Sequence, residues 1–293
     1  MRRGALRAGF WAALAVSGCA PMRPGGSFGS RPKDEAAARI TIRCQELSEA
    51  AQAAIDRRDG TAAVSRLREL VALEPKSAEA HHRLGTVYQS EGRLAEAEAS
   101  YKRALGLDNE YVAALIGLGS IDAALVRPQA ALERFDAAIE IDPRQGEAHL
   151  GRGRELEALG KTDEALASYF RALEFTPNSS DARLRVATLQ LARNEPDQAL
   201  ARLDALVEPN PDDAEARFQR GRAHLALGHV SPALSDLKAA ADKLPERPDV
   251  LLNLAFALAA DHEPKAALAA SDRALQLAPH YAEAQALARK LRR

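Results

Sequence analysis

The sequence predicts an all-α protein, an α-solenoid of helical hairpins stacked in series, and three observations predict it. Aromatic residues are only 4% of a chain whose hydrophobic content is 46%, and much of that apolar fraction is alanine. Such a balance suits long helices in close contact and not a β-sandwich, which draws on β-branched and aromatic side chains. Pro75, Pro143, Pro177, Pro211, Pro245 and Pro279 fall on a grid of 34 residues, with Asn109 at the vacant node. With the node counted as position 32, position 20 is alanine in every repeat: Ala63, Ala97, Ala131, Ala165, Ala199, Ala233 and Ala267. Position 8 is always small: Ala51, Gly85, Gly119, Gly153, Ala187, Gly221 and Ala255. A period of this length marks an array of units, each with an apolar face that only its neighbours can bury.

Taken in order, the chain begins with residues 1–18, in which Arg2, Arg3 and Arg7 precede an apolar stretch from Ala8 to Val16. A basic start and a short apolar core read as a secretory signal peptide, too short to span a bilayer. Val16-Ser17-Gly18-Cys19 resembles the bacterial lipobox. That resemblance implies cleavage between Gly18 and Cys19 and a lipid anchor on the Cys19 thiol. The next residue is Ala20 rather than Asp, which on the enterobacterial pattern implies the periplasmic face of the outer membrane. Cleavage leaves a net charge of −4, takes away Trp11, and leaves Cys44 without a disulfide partner. Residues 19–33 follow as a tether rich in proline and glycine, with a reach on the order of 20 Å. Gly25-Gly26-Ser27-Phe28-Gly29 fits the hydrolase pattern G-x-S-x-G by letter only, because that motif needs a strand before it and a helix after it.

The solenoid is expected over 34–293, with residues 34–43 extending the first helix. The repeats are 44–77, 78–111, 112–145, 146–179, 180–213, 214–247 and 248–281, and a capping helix occupies 282–293. Proline at position 32 stops each second helix, since it lacks the N–H and clashes with the preceding turn. Pro128, Pro196 and Pro264 stand at position 17, a first-turn site where the missing N–H costs nothing. Gly92, Gly160 and Gly228 stand at position 15, in the turn between helices. Arg289, Lys290, Arg292 and Arg293 suit the negative end of the cap.

These landmarks resemble the tetratricopeptide repeat. Repeat 2 carries the signature most fully, in Leu84, Gly85, Tyr88, Ala97, Tyr101, Ala104 and Asn109. Repeat 4 follows with Gly153, Ala165, Tyr169, Ala172 and Pro177. Leu67, Leu203 and Ser271 depart from it, standing where the family prefers an aromatic. The resemblance implies a right-handed α-solenoid of about seven such hairpins plus a C-terminal capping helix.

Little in the chain points to catalysis. The net charge is −1, which gives no electrostatic case for nucleic acid. The seven histidines form no i,i+4 pair and there is no C-x-x-C, so no metal site and no cofactor are expected. Gly117-Leu118-Gly119 and Gly151-Arg152-Gly153 lie inside first helices with no preceding strand, and close packing accounts for the second glycine of each. Cys44 reads as a small buried side chain rather than a nucleophile.

The resemblance instead implies a concave groove lined by first-helix positions 2, 5, 9, 12 and 13. Position 5 reads Ser48, His82, Ile116, Leu150, Leu184, Phe218 and Leu252, an apolar ladder continued by Phe256 at position 9. Arg154 and Arg222, also at position 9, would add polar contacts. Two readings of the ladder stand: packing between neighbouring helices, or the floor of a groove for a partner helix or extended segment. The expectation is a non-enzymatic, membrane-anchored scaffold that recruits envelope proteins and binds no nucleic acid or small-molecule substrate. Piloting a secretin in type IV pilus assembly, or docking cell-wall enzymes, would fit. The alternatives are a self-assembling repeat lipoprotein and an accessory subunit of an envelope enzyme. A hydrolase or transferase is disfavoured, because tether, repeats and cap leave no segment of catalytic-domain size.

Overall fold

The computed structural model describes residues 32–292, and the signal peptide, Cys19 and most of the tether lie outside them. The chain divides into two units, at Arg43/Cys44. The described part of the first, residues 32–43, is helical and exposed from Glu35 onward. It belongs to α1 (Pro32–Asp56), which takes up Pro32 and Lys33 from the expected tether. The second unit is the repeat array. After α1 come α2 (Gly60–Leu73), α3 (Ala78–Ser90), α4 (Leu94–Leu107), α5 (Val112–Ala124), α6 (Pro128–Ile141), α7 (Gly146–Ala158) and α8 (Thr162–Phe175). Then come α9 (Ser180–Ala192), α10 (Pro196–Val207), α11 (Ala214–Ala226), α12 (Val230–Lys243), α13 (Pro248–Ala260), α14 (Pro264–Leu277) and α15 (Ala282–Leu291).

The register follows the proline grid closely. From repeat 2 onward every first helix fills positions 1–13, and every second helix starts at position 17. Ser77, Ser179 and Asp213, all at position 34, accept a hydrogen bond from the N–H three residues on and cap the next helix. Only α10 stops early, at Val207, because Pro209 adds a second break ahead of Pro211.

Position 15 shows what the turn demands. All seven residues there adopt a left-handed backbone: Gly92, Gly160 and Gly228 at φ 72–75°, and Arg58, Val126, Asn194 and His262 at φ 57–61°. Glycine takes this conformation freely, whereas an L side chain costs about 1–2 kcal/mol.

Within each hairpin, positions 8 and 20 bring the two helices together. All seven position-20 alanines are fully buried. Position 24 fills the space that position 8 leaves. A Cβ on Gly85 would stand 2.7 Å from the Tyr101 ring, one on Gly119 2.8 Å from Phe135, and one on Gly153 2.5 Å from Tyr169. Repeats 1 and 5 have Leu67 and Leu203 at that place, and there position 8 is alanine. Repeat 6 instead sets Leu237 against a glycine, and a Cβ on Gly221 would stand 2.7 Å from that leucine.

Successive hairpins are tied by a polar contact that recurs along the array. Position 4 reaches back six residues to the carbonyl of the grid proline. His81 Nε2 lies 3.2 Å from Pro75 O and His149 Nε2 2.9 Å from Pro143 O. Arg183, Arg217 and Gln285 donate to Pro177, Pro211 and Pro279 at 2.7, 2.5 and 2.8 Å. These carbonyls follow a helix end and lack an intrahelical donor, so the side chain satisfies a group that would otherwise need water. Odd-numbered helices also touch across repeats, α3 with α5, α5 with α7, α9 with α11, and α11 with α13. No pair of even helices packs to a comparable degree. The odd helices therefore line one side in two closely packed runs, α3 to α7 and α9 to α15.

Candidate partner-binding groove

Successive odd helices meet along positions 9 and 12 of one and positions 2, 6 and 9 of the next, and three of these junctions open into clefts. The first, of about 570 Å³, lies between α1 and α3. Ile55, Ala63 and Val87 supply its apolar surface, and Gln52, Arg58, Arg83, Thr86 and Glu91 its polar groups. The second, of about 310 Å³, lies between α5 and α7 and is lined by Ile116, Ala123, Leu150, Glu147, Arg154 and Glu155 among others. The third, of about 540 Å³, lies between α13 and α15, with Phe256, Ala259, Ala260 and Leu287 around Glu283 and Lys290.

The position-5 ladder divides. Ile116, Leu150 and Leu184 are half-buried and present part of their side chains on the odd-helix face. Phe218 and Leu252 are only 2% and 3% exposed, so they belong to the packing between hairpins and offer no open surface. Their place at the C-terminal end is taken by Phe256, which is 40% exposed. His82 is half-buried, with its ring centroid 5.5 Å from Tyr101 and 5.4 Å from Tyr111. Burial holds its pKa below the ordinary value, against an opposing pull from Glu79.

Both position-9 arginines are engaged. Arg154 on α7 pairs with Asp181 on α9. Arg185 on α9 returns toward Glu157 on α7 at 3.7 Å and also meets Asp181 at 3.5 Å. Crossed ion pairs therefore span the α7–α9 junction. Arg222 donates to Gln219 Oε1 at 2.8 Å and lies 5.7 Å over the Phe218 ring. Arg247 faces the same ring from 5.1 Å and pairs with Glu215 and Asp249. Its guanidinium is held well above the usual range, chiefly by the Asp249 carboxylate. Cys19 and Gly18 lie outside the described residues.

Two features escaped sequence reasoning. Gly117 and Gly151 have a reason of their own: a Cβ on Gly117 would stand 2.6 Å from the far side of Tyr101, and one on Gly151 would strike Phe135. The Tyr101 and Phe135 rings are thus each held between a glycine of their own repeat and a glycine of the next, whereas Tyr169 has Gly153 alone. The second feature is a charge cluster beneath the surface. Asp236 is 2% exposed and accepts from Arg220 Nε at 2.6 Å and from Arg217 Nη1 at 3.3 Å, while Arg220 also reaches Asp204 at 3.1 Å. Arg152 makes the matching contacts to Asp136 and Ser168, each at 2.7 Å. The signal was present in the sequence, since both arginines sit at position 7 with a polar partner 16 residues away on either side.

Among the described residues, no group of three His, Cys, Asp or Glu is placed to hold a metal ion. No described helix is long and apolar enough to cross a membrane.

The tetratricopeptide repeat family matches over residues 48–112, 116–180 and 156–225, together more than half of the chain. The chain belongs to the tetratricopeptide repeat family. No curated protein matches this tetratricopeptide-repeat chain, but many solved structures share its fold. YrrB, described as a TPR protein with an unusual peptide-binding site, is 26% identical. Its match covers 65% of this chain and 97% of that one at a TM-score of 0.56. PilF of Pseudomonas aeruginosa matches at 19% identity over 73% of this chain and 97% of its own, with a TM-score of 0.65. PilW, described as a widely conserved type IV pilus biogenesis factor, matches at 21% over 72% and 97%, with a TM-score of 0.59. At those identities the last two establish likeness of fold alone.

Proposed function

We propose that this tetratricopeptide-repeat protein is a lipid-anchored scaffold of the bacterial cell envelope that holds a segment of another protein along its odd-helix face. The observation that carries the reading is the run of half-buried Ile116, Leu150 and Leu184 on α5, α7 and α9, the first two lining the cleft between α5 and α7. Side chains of this kind leave apolar surface in water on three neighbouring helices, and covering it is favourable by about 25 cal/mol per Å². Likeness to YrrB, described as having an unusual peptide-binding site, supports a peptide or protein ligand. The lipobox-like Val16-Ser17-Gly18-Cys19 supports an anchor on the periplasmic face of the outer membrane. Within that compartment, assembly of a type IV pilus is the role to test first, since PilW, so described, has the same fold.

Crosslinking in the native membrane, affinity purification and mass spectrometry would identify the partners. The same experiment with Leu150→Glu/Leu184→Glu should lose them while the circular dichroism spectrum and membrane attachment are kept. Recovery at wild-type yield by a folded double variant would refute the groove.

A further inference from the structure

The three clefts differ in charge, and this bears on what they accept. In the cleft between α5 and α7, the apolar floor is Ile116, Leu150 and Ala123, and the ionic groups are Glu147, Glu155 and Arg154. Arg154 is already matched by Asp181. Neither Glu147 nor Glu155 meets a cation within ion-pair distance among the described residues. Both are on α7, eight residues apart, so at 1.5 Å per residue they stand about 12 Å apart along the helix. Burial also pushes the Glu155 carboxyl up, opposed only by Arg154. The cleft is therefore an apolar floor with uncompensated negative charge. The cleft between α1 and α3 has the opposite balance, with Arg58 and Arg83 against Glu91.

Resting on the groove reading above, we infer that the α5–α7 cleft is a pocket for a lysine or arginine side chain of the bound protein segment. The aliphatic stem lies on Ile116 and Leu150, and the cationic head meets Glu147 or Glu155. The chemistry matches on both counts, because long basic side chains bury an apolar stem while the charged end stays at a polar rim. An aliphatic or aromatic side chain would cover the floor but leave the carboxylates unpaired, and an acidic one would be repelled. This position thus sets the sign of the partner's charge, while the ladder supplies the less selective apolar contact.

The test is selection of random twelve-residue peptides displayed on phage against the full chain, followed by fluorescence anisotropy of the enriched peptides. Peptides with a lysine or arginine next to apolar residues should be enriched. Replacing that basic residue with glutamine should weaken binding about tenfold, and replacing it with glutamate should weaken it further. Glu147→Gln/Glu155→Gln, which removes charge with little change of shape, should abolish the distinction between lysine and glutamine peptides. A basic preference that survives in this double variant, or enrichment without basic residues, overturns the inference. In the latter case, peptides that still fail to bind Leu150→Glu/Leu184→Glu leave the groove standing. Peptides that bind that variant as well as wild type, or no enrichment at all, count against the groove itself and the pocket with it.

Discussion

Val126 offers a direct measure of what the inter-helix turn costs. It is β-branched, sits at φ 57°, and is 84% exposed. A non-glycine residue held in this region costs about 1–3 kcal/mol. Replacing it with glycine forfeits only about a sixth of a valine's full burial, ~0.3–0.5 kcal/mol. Glycine adds freedom to the unfolded chain at a further cost of about 0.5–1 kcal/mol. The balance is about 0.5–1 kcal/mol in favour of Val126→Gly. The glycines at the equivalent turns, φ 72–75°, show that the backbone already fits. Val126→Ala is the control, since it keeps a Cβ at the same φ and should gain no more than a few tenths. Urea unfolding followed by circular dichroism reads the global effect, and amide exchange in α5 and α6 reads the local one, because stability in such arrays is close to nearest-neighbour. The converse change, Gly160→Val, should cost about 0.5–1 kcal/mol, since a Cβ there meets nothing within 4 Å and the same terms apply with opposite sign. If Val126→Gly destabilises, or does no better than Val126→Ala, the left-handed turn at position 15 is not where the strain lies.

Other outcomes follow from the same geometry. Ala165→Trp should force α7 and α8 apart at a cost of about 1–3 kcal/mol and broaden the thermal transition, and an unchanged melting curve would show that position 165 is not in a helix contact. Burial lowers the His82 pKa from 6.5, so the unfolded chain binds the proton more readily. Its contribution to stability is accordingly complete above about pH 6.5 and is lost as the pH falls toward the folded pKa. His82→Gln should flatten the fall in stability between pH 7 and 5, as measured by urea titrations at each pH; an unaltered slope would remove His82 from the account. Cys19→Ala should release the protein from the membrane fraction or leave it unprocessed, and no uptake of a fatty-acid analogue by the wild-type chain would exclude the anchor.

The fold was legible because its determinants are local and repeated. Proline at position 32, alanine at position 20 and small residues at position 8 each act through sterics that the sequence states directly, and from repeat 2 onward every helix start follows them to the residue. The groove was legible only in part. Position 5 recurs in the sequence as one apolar ladder, yet Leu184 is half-buried and Phe218 fully buried. Phe218 is covered by Arg222 of its own helix and by Arg247 just ahead of α13, and a periodic pattern carries no record of that. Turn conformation shows the same limit. Three glycines announced the left-handed site at position 15, while Arg58, Val126 and His262 are held there by the helices on either side.

The paired glycines around Tyr101 and Phe135 bear on how such an array can grow or shrink. Each of these two rings lies against a glycine at position 6 of the following repeat, Gly117 and Gly151, whereas Tyr169 at the same place in repeat 4 is followed by Arg185. The boundaries between repeats 2 and 3 and between repeats 3 and 4 are therefore matched pairs, with a ring on one side and a glycine on the other. Exchanging repeat 3 for repeat 5, or duplicating repeat 2 in tandem, would set Arg185 or Arg83 against a ring that had met hydrogen. Repeat 5 has Leu203 and not an aromatic at that place, and it is followed by Gln219. Its C-terminal boundary lacks this constraint and is the better place for recombination to insert or remove a unit.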